Sequence, residues 1–218
     1  MNNVPRSRYI HFNHDEIRGL GRDSRSQRSG LANHELLAKE INALQTSVTK
    51  YLGDSGRAMF WDDMVNPTHN GGDEDYQWTT GGGPPGRTDL AVLNKLIDRR
   101  VIWASWAYGV TPDAGPGKFS DLRKIKDAPE LFQSHGYDWA GCAGIPTANV
   151  KAWGQGLQAA KRAGENALGL LDVQWTTVAE NSSVMDWANV PAVGACAWNI
   201  EAFLTNLTQS NTSGQERR

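Results

Sequence analysis

The chain has 218 residues and a mass of 23.9 kDa, enough for one domain with a sizeable core. Its formal net charge of -2 gives no reason to expect a nucleic-acid or anionic-membrane partner. No apolar run approaches the roughly 20 residues that span a bilayer, and the start "MNNVPRSRYIHF" lacks the apolar stretch of a signal peptide.

Nine Trp and 23 Gly are the unusual part of the composition. Trp supplies a flat apolar wall, so the count fits either a ligand surface such as sugar rings or a large aromatic core. Cys142 and Cys196 read as small buried residues in preference to a bridge, because two thiols without Cys-x-x-Cys spacing make neither a disulfide framework nor a metal site. Asn181, Asn206 and Asn211 begin glycosylation sequons, which matter only in a secretory pathway.

In chain order, "YIHFNHDE" (9–16) is an apolar run ending in two adjacent carboxylates, followed by an Arg/Ser/Gly stretch over 18–30 that reads as a solvated loop. Leu36, Leu37, Ile41, Leu44 and Val48 recur with helical period and predict a helix over 31–52. "AMFWDDM" (58–64) is the next strand, and its Gly- and Pro-rich loop over 65–88, holding Tyr76 and Trp78, reads either as a lid or as a surface excursion. "DLAVLNKLIDRR" (89–100) predicts a second helix with Asp89 as a favourable first-turn anion.

"VIWASWAYG" (101–109) is a buried strand, with Pro112, Gly115, Pro116 and Gly117 in the loop after it. A helix is expected within 119–136, then the strand "YDWAGCAG" (137–144), then a helix over 147–167 weakened by Gly154 and Gly156. "LGLLDVQWTT" (168–177) is the fifth strand, and a closing helix over 191–207 carries Pro191 in its first turn. Residues 1–207 form one domain on this reading, and 208–218 a disordered polar tail.

Strands alternating with helices mean parallel β/α units, whose strands are apolar on both faces. Working residues in such folds sit at the carboxyl ends of strands. Those ends carry "HDE", "WDDM", "SWAYG", "GCAG" and "DVQWTT", so polar and aromatic groups recur along one edge of the sheet.

Asp15 and Glu16 cannot face the same way along a regular strand, yet both can reach one pocket where the backbone bends away. Two carboxylates in one cleft separate into a protonated donor and an anion, the division of labour that glycoside cleavage needs. Two other readings stand beside this. Asp15 caps a turn while Glu16 pairs with Arg18 or Arg22, or His11-x-x-His14 and the carboxylates hold a metal, although alternation sends the two histidines to opposite faces.

"IHFNHDE" resembles the His-x-Gly-x-Asp-Glu signature that closes strand four of glycoside hydrolase family 20, the β-N-acetylhexosaminidases. "MFWDDM" is similar to that family's strand-five end, "VIWASWAYG" to strand six, "LGLLDVQWTT" to strand eight, and "VPAVGACAWN" to its terminal helix. The similarity runs from about residue 8 to 203. It implies the later strands of a TIM (β/α)8 barrel, with the first strands missing, and a hydrolase that removes terminal N-acetylhexosamine from glycans by substrate-assisted, retaining catalysis without a cofactor or metal.

By resemblance, Asp15 would orient the substrate's 2-acetamido group and Glu16 would protonate the leaving oxygen and then activate water. His11 would orient, Trp61, Trp175 and either Trp103 or Trp106 would wall the sugar subsite, and Tyr108 would meet the acetamide carbonyl. Asp62 and Asp63 would bind sugar hydroxyls or cap a loop. Alternatively, Asp62 or Asp63 would join Asp15 or Glu16 in a different glycosidase.

Asn13 stands where the family has glycine, and Thr176 and Thr177 where it has a glutamate. A complete barrel takes about 250 residues, so the open sheet is expected to be a truncated product, a segment needing a complementary chain, or a self-associating half-barrel. A catalytically impaired sugar-binding remnant is the alternative function. The residues leave the compartment open, with an extracytoplasmic or secreted parent protein favoured.

Overall fold

The alternating apolar runs fold as strands and helices in a computed structural model that describes residues 7–17, 19–66, 90–108, 122–144, 147–164, 166–173 and Val193. The elements are β1 (Tyr9–His11), α1 (Ser24–Ser29), α2 (Asn33–Leu52), β2 (Arg57–Trp61), α3 (Leu90–Leu93), β3 (Ile102–Trp106), α4 (Leu122–Ser134), β4 (Asp138–Ala143), α5 (Thr147–Arg162) and β5 (Ala167–Asp172). The strands make one five-stranded parallel sheet in the order β1-β2-β3-β4-β5. A doubly wound sheet reverses its order at a switch point. This one does not, which is the arrangement of consecutive β/α units in part of an α/β barrel.

Burial falls from the middle strand to the outermost ones. All of β3 is buried, whereas Tyr9 and Ile10 on β1 and Leu168 on β5 are exposed. Among the described residues no helix is long and apolar enough to cross a membrane. The chain divides into two compact units, Met1–Ala104 with Glu130–Asp138, and Ser105–Pro129 with Trp139–Arg218.

In the first unit, α2 packs on β2 through Leu37, Ile41 and Val48, the stripe expected from its periodicity. Glu35 accepts the Ala32 N–H at 2.8 Å and so satisfies one donor at the helix start. Buried Gln45 fastens the helix to the strand. Its Nε2 donates to Gly56 O at 3.0 Å, and its Oε1 accepts from Ala58 N at 2.8 Å. At the amino-terminal end of the sheet, Arg57 forms an ion pair with Asp138 and donates from Nε to Arg100 O at 2.6 Å. Tyr137 Oη donates to Ile97 O at 3.0 Å, and the Arg99 guanidinium lies 4.5 Å from that ring's centroid.

Two expectations in this unit change. The 18–30 stretch contains the six-residue helix α1, because Asp23 Oδ1 accepts from Arg25 N and Ser26 N, and Gly30 closes the helix at φ 68°. The helix expected over 89–100 is helical only at Leu90–Leu93. Further on, at the approach to β3, Asn42 Oδ1 takes the Asp98 N–H and Asp98 Oδ1 takes the Arg100 N–H, side-chain bonds in place of a helical ladder.

In the second unit, Trp139 and Trp153 lie tilted with ring centroids 6.4 Å apart in the core of the β4–α5 layer. Gly141 lets the Trp153 ring lie against the strand, since a Cβ there would sit 2.6 Å from Trp153 Cε3. Gly156 in α5 has a matching cause, with Ile125 Cγ2 at 3.2 Å from where its Cβ would be. The helix stops at Arg162, not at Ala167, where Gly164 takes φ 74° and its N–H meets Lys161 O. Between the pairs Trp139↔Ala167 and Gly141↔Leu170, β5 carries one extra residue, a β-bulge.

Several expectations lie outside the described residues. These are the loop after Asn66 with Tyr76 and Trp78, Asp89, the loop holding Pro112 to Gly117, the strand end at Trp175, the closing helix apart from Val193, Cys196 and the tail. Cys142 is buried, as expected.

Candidate functional site

The β1–β2 ladder continues past the strand ends. Phe12 N donates to Met59 O at 2.9 Å and Trp61 N to Asn13 O at 3.1 Å. There the chain turns sharply, with φ of 63° at Asn13, 65° at His14 and 44° at Glu16. Left-handed backbone is rare for residues other than glycine, and Asn and His tolerate it better than most. Because three residues are left-handed, strand alternation no longer dictates where Asp15 and Glu16 face. Both are half-buried at the carboxyl end of β1.

The turn is held from two other elements. The Glu16 N–H donates to Asp63 Oδ2 at 2.7 Å, and Ile17 N donates to Met64 Sδ at 3.3 Å. His14 lies with Nδ1 2.9 Å from Phe12 O and Nε2 3.1 Å from Glu40 Oε1, which ties the turn to α2. Its ring meets the edge of Phe60 at 5.3 Å.

His11 turns to the other side. Its ring packs edge-on to Trp61 at 4.4 Å, and its Nδ1 accepts the Asn13 N–H at 3.0 Å. Nδ1 is therefore unprotonated and Nε2 carries the hydrogen, buried and without a hydrogen-bond partner. Burial holds the His11 pKa below its ordinary 6.5, and the Asp15 carboxylate opposes that shift. His11 and His14 thus diverge, and among the described residues no cluster of three or more His, Cys, Asp or Glu could hold a metal ion.

The second strand end contributes Trp61, Asp62 and Asp63. Asp62 is fully buried. Its Oδ2 accepts from Asn66 Nδ2 at 2.8 Å and its carbonyl from Val65 N and Asn66 N, so it anchors the turn after β2. Asp63 is also fully buried and holds Glu16. His11, Asp15, Glu16 and Trp61 therefore share the carboxyl ends of adjacent strands, with Asp63 bonded to the Glu16 backbone and Asp62 to the turn after β2.

Of the two β3 tryptophans, Trp103 belongs to the core, 1 % exposed and packed between Phe60 at 6.2 Å and Tyr137 at 6.0 Å. Trp106 is the one stacked on Tyr108, at 5.2 Å and 24° between planes. A clamp in the second unit sets Tyr108. Buried Asn149 donates from Nδ2 to Ala107 O at 2.7 Å and accepts the Gly144 N–H at 3.0 Å, while Trp153 Nε1 adds a bond to Ala107 O at 3.1 Å. Gly144 leaves room for the Tyr108 ring, whose Cδ1 lies 2.7 Å from where a Cβ would be. Trp175 is outside the described residues.

Sequence reasoning missed Glu40 and Asn149, which look like ordinary helix residues. It left Asp63 undecided between sugar hydroxyls and a loop cap. The signal that favours a cap is the doubled Asp at a strand end, where two adjacent side chains point apart. No protein-family model matches the chain, and no curated protein matches it.

Proposed function

We propose that this chain is a β-N-acetylhexosaminidase-like glycoside hydrolase region whose five strands correspond to strands four to eight of a TIM barrel of the family 20 type. The observation that carries the reading is the Asp15–Glu16 turn at the carboxyl end of β1, bonded to the end of β2 beside the His11–Trp61 pair. The left-handed φ of Asn13 supports it too, because the family pattern has glycine at that position, the residue best suited to such a conformation.

On this reading the substrate's 2-acetamido oxygen attacks the anomeric carbon while Glu16 gives its proton to the departing glycosidic oxygen. Asp15 orients the acetamide N–H and stabilises the positive charge that develops on the ring formed. Water then adds at the anomeric carbon, losing its proton to Glu16, and the configuration is retained. Trp61 offers an apolar face to the sugar ring, as Trp–sugar stacking requires.

Hydrolysis of an alkyl N-acetylglucosaminide, whose leaving oxygen depends on protonation, by wild type and Glu16→Gln tests the reading. Loss of a positioned general acid lowers turnover by about 10²–10⁴-fold. Equal rates in the two proteins would remove Glu16 from that role. Saturable binding of N-acetylglucosamine by calorimetry without hydrolysis would instead identify a sugar-binding remnant, and no binding would end both readings.

A further inference from the structure

We infer that Asp63 is a positioning residue for the proton donor, acting through the backbone of Glu16 and not through the substrate. The inference rests on the proposed hydrolase reading. A turn with Asn13, His14 and Glu16 all left-handed does not hold itself, so the surroundings must over-determine it. Contacts that reach it from elsewhere include Trp61 N to Asn13 O, Glu40 to the His14 ring, Asp63 Oδ2 to Glu16 N and Met64 Sδ to Ile17 N. The first two grip the turn before the carboxylates. The third grips the residue that would deliver the proton.

Its chemistry suits the task. The Asp63 carboxyl group is fully buried, and its Oδ2 lies 2.7 Å from the Glu16 nitrogen, at the short end of the N–H···O range. It comes from a sheet strand's end, which is a rigid support. The next residue repeats the grip, with Met64 Sδ receiving the Ile17 N–H, so two consecutive amides of the turn lie on two consecutive side chains of the β2 end. Binding sugar hydroxyls would require an accessible Asp63 carboxylate, which full burial denies.

Asp63→Ala removes the acceptor, whereas Asp63→Asn keeps an amide oxygen able to take the same N–H. The readout is kcat and KM on two N-acetylglucosaminides, one with a 4-nitrophenyl leaving group and one with a simple alkyl group. The alkyl oxygen needs a well-placed acid far more than nitrophenolate does. Asp63→Ala should lose roughly 10–100-fold in kcat on the alkyl substrate, with a much smaller loss on the nitrophenyl one and KM little changed. Asp63→Asn should recover most of it. A loss equal on both substrates, which a merely destabilised protein would give, overturns the inference.

Amide hydrogen exchange at Glu16, followed by nuclear magnetic resonance, gives a readout independent of turnover. The wild-type Glu16 amide should be protected, and that protection lost in Asp63→Ala. A Glu16 amide exchanging freely in the wild type overturns the inference even where Asp63→Ala does not fold. If wild type hydrolyses neither glycoside, the hydrolase reading falls, and the Asp63 grip stands or falls on the exchange result alone.

Discussion

Replacing Asn13 isolates the cost of the turn that carries the carboxylates. Asn13 is exposed, so substitution removes little packing, and its backbone bonds to His11 Nδ1 and Trp61 N survive in any variant other than proline. At φ 63° a side chain with a Cβ pays roughly 1–2 kcal/mol relative to right-handed backbone, a cost that Asn partly relieves. Asn13→Ala should therefore lose about 1 kcal/mol. For a chain of 218 residues that is a fall in Tm of about 2–4 °C.

Asn13→Gly removes the steric cost but gives back roughly 0.5–1 kcal/mol through the freer unfolded chain. It should melt within about 0.5 kcal/mol of wild type and above the alanine variant. Thermal and urea unfolding of the three proteins measure this order. An alanine variant as stable as wild type, or a glycine variant less stable than alanine, would refute the claim that the turn is strained at this residue.

Gly141→Ala should destabilise by about 1–3 kcal/mol, because the new methyl would press on Trp153; unfolding that is unchanged would mean the ring has room to move. Asn149→Ala leaves the buried Gly144 N–H without its acceptor and should cost about 1–3 kcal/mol, with faster exchange of the Gly144 amide as the direct check. His11 is depressed below 6.5 in the folded state, so its contribution is present above pH 6.5 and is lost as pH falls below it, while the unfolded chain takes up the proton first. Melting between about pH 8 and pH 5 should therefore show a steeper loss in wild type than in His11→Asn. Asp98, lowered by its bond to Arg100, adds loss only below pH 3.8 and does not intrude on that range.

Much of the architecture was readable before any coordinates. The apolar runs became strands because parallel strands bury both faces, and α2 followed its periodic stripe from Leu37 to Val48. Helix α1 was missed although Asp23 and Gly30 are ordinary start and stop residues, since the intervening arginines and serines lack an apolar face. The length of α3 was overestimated because the approach to β3 is held by side chains, among them Asn42, 56 residues before the Asp98 amide that it binds. At the candidate site, the residues His11, Asp15, Glu16 and Trp61 were legible as strand-end groups. Their supports were not, because Glu40 and Asn149 carry no pattern of their own.

The sequence by itself determined the alternation of strand and helix, the order of chemistry-bearing strand ends and the position of the acidic couple, because periodicity and punctuation are local properties of a chain. Tertiary structure decided that Asp62 and Asp63 are buried supports, that Trp106 and not Trp103 stacks on Tyr108, and that the carboxylates leave the strand through left-handed backbone. Those outcomes depend on burial and on partners distant in sequence, such as Asp63, which lies 47 residues beyond the Glu16 amide that it holds.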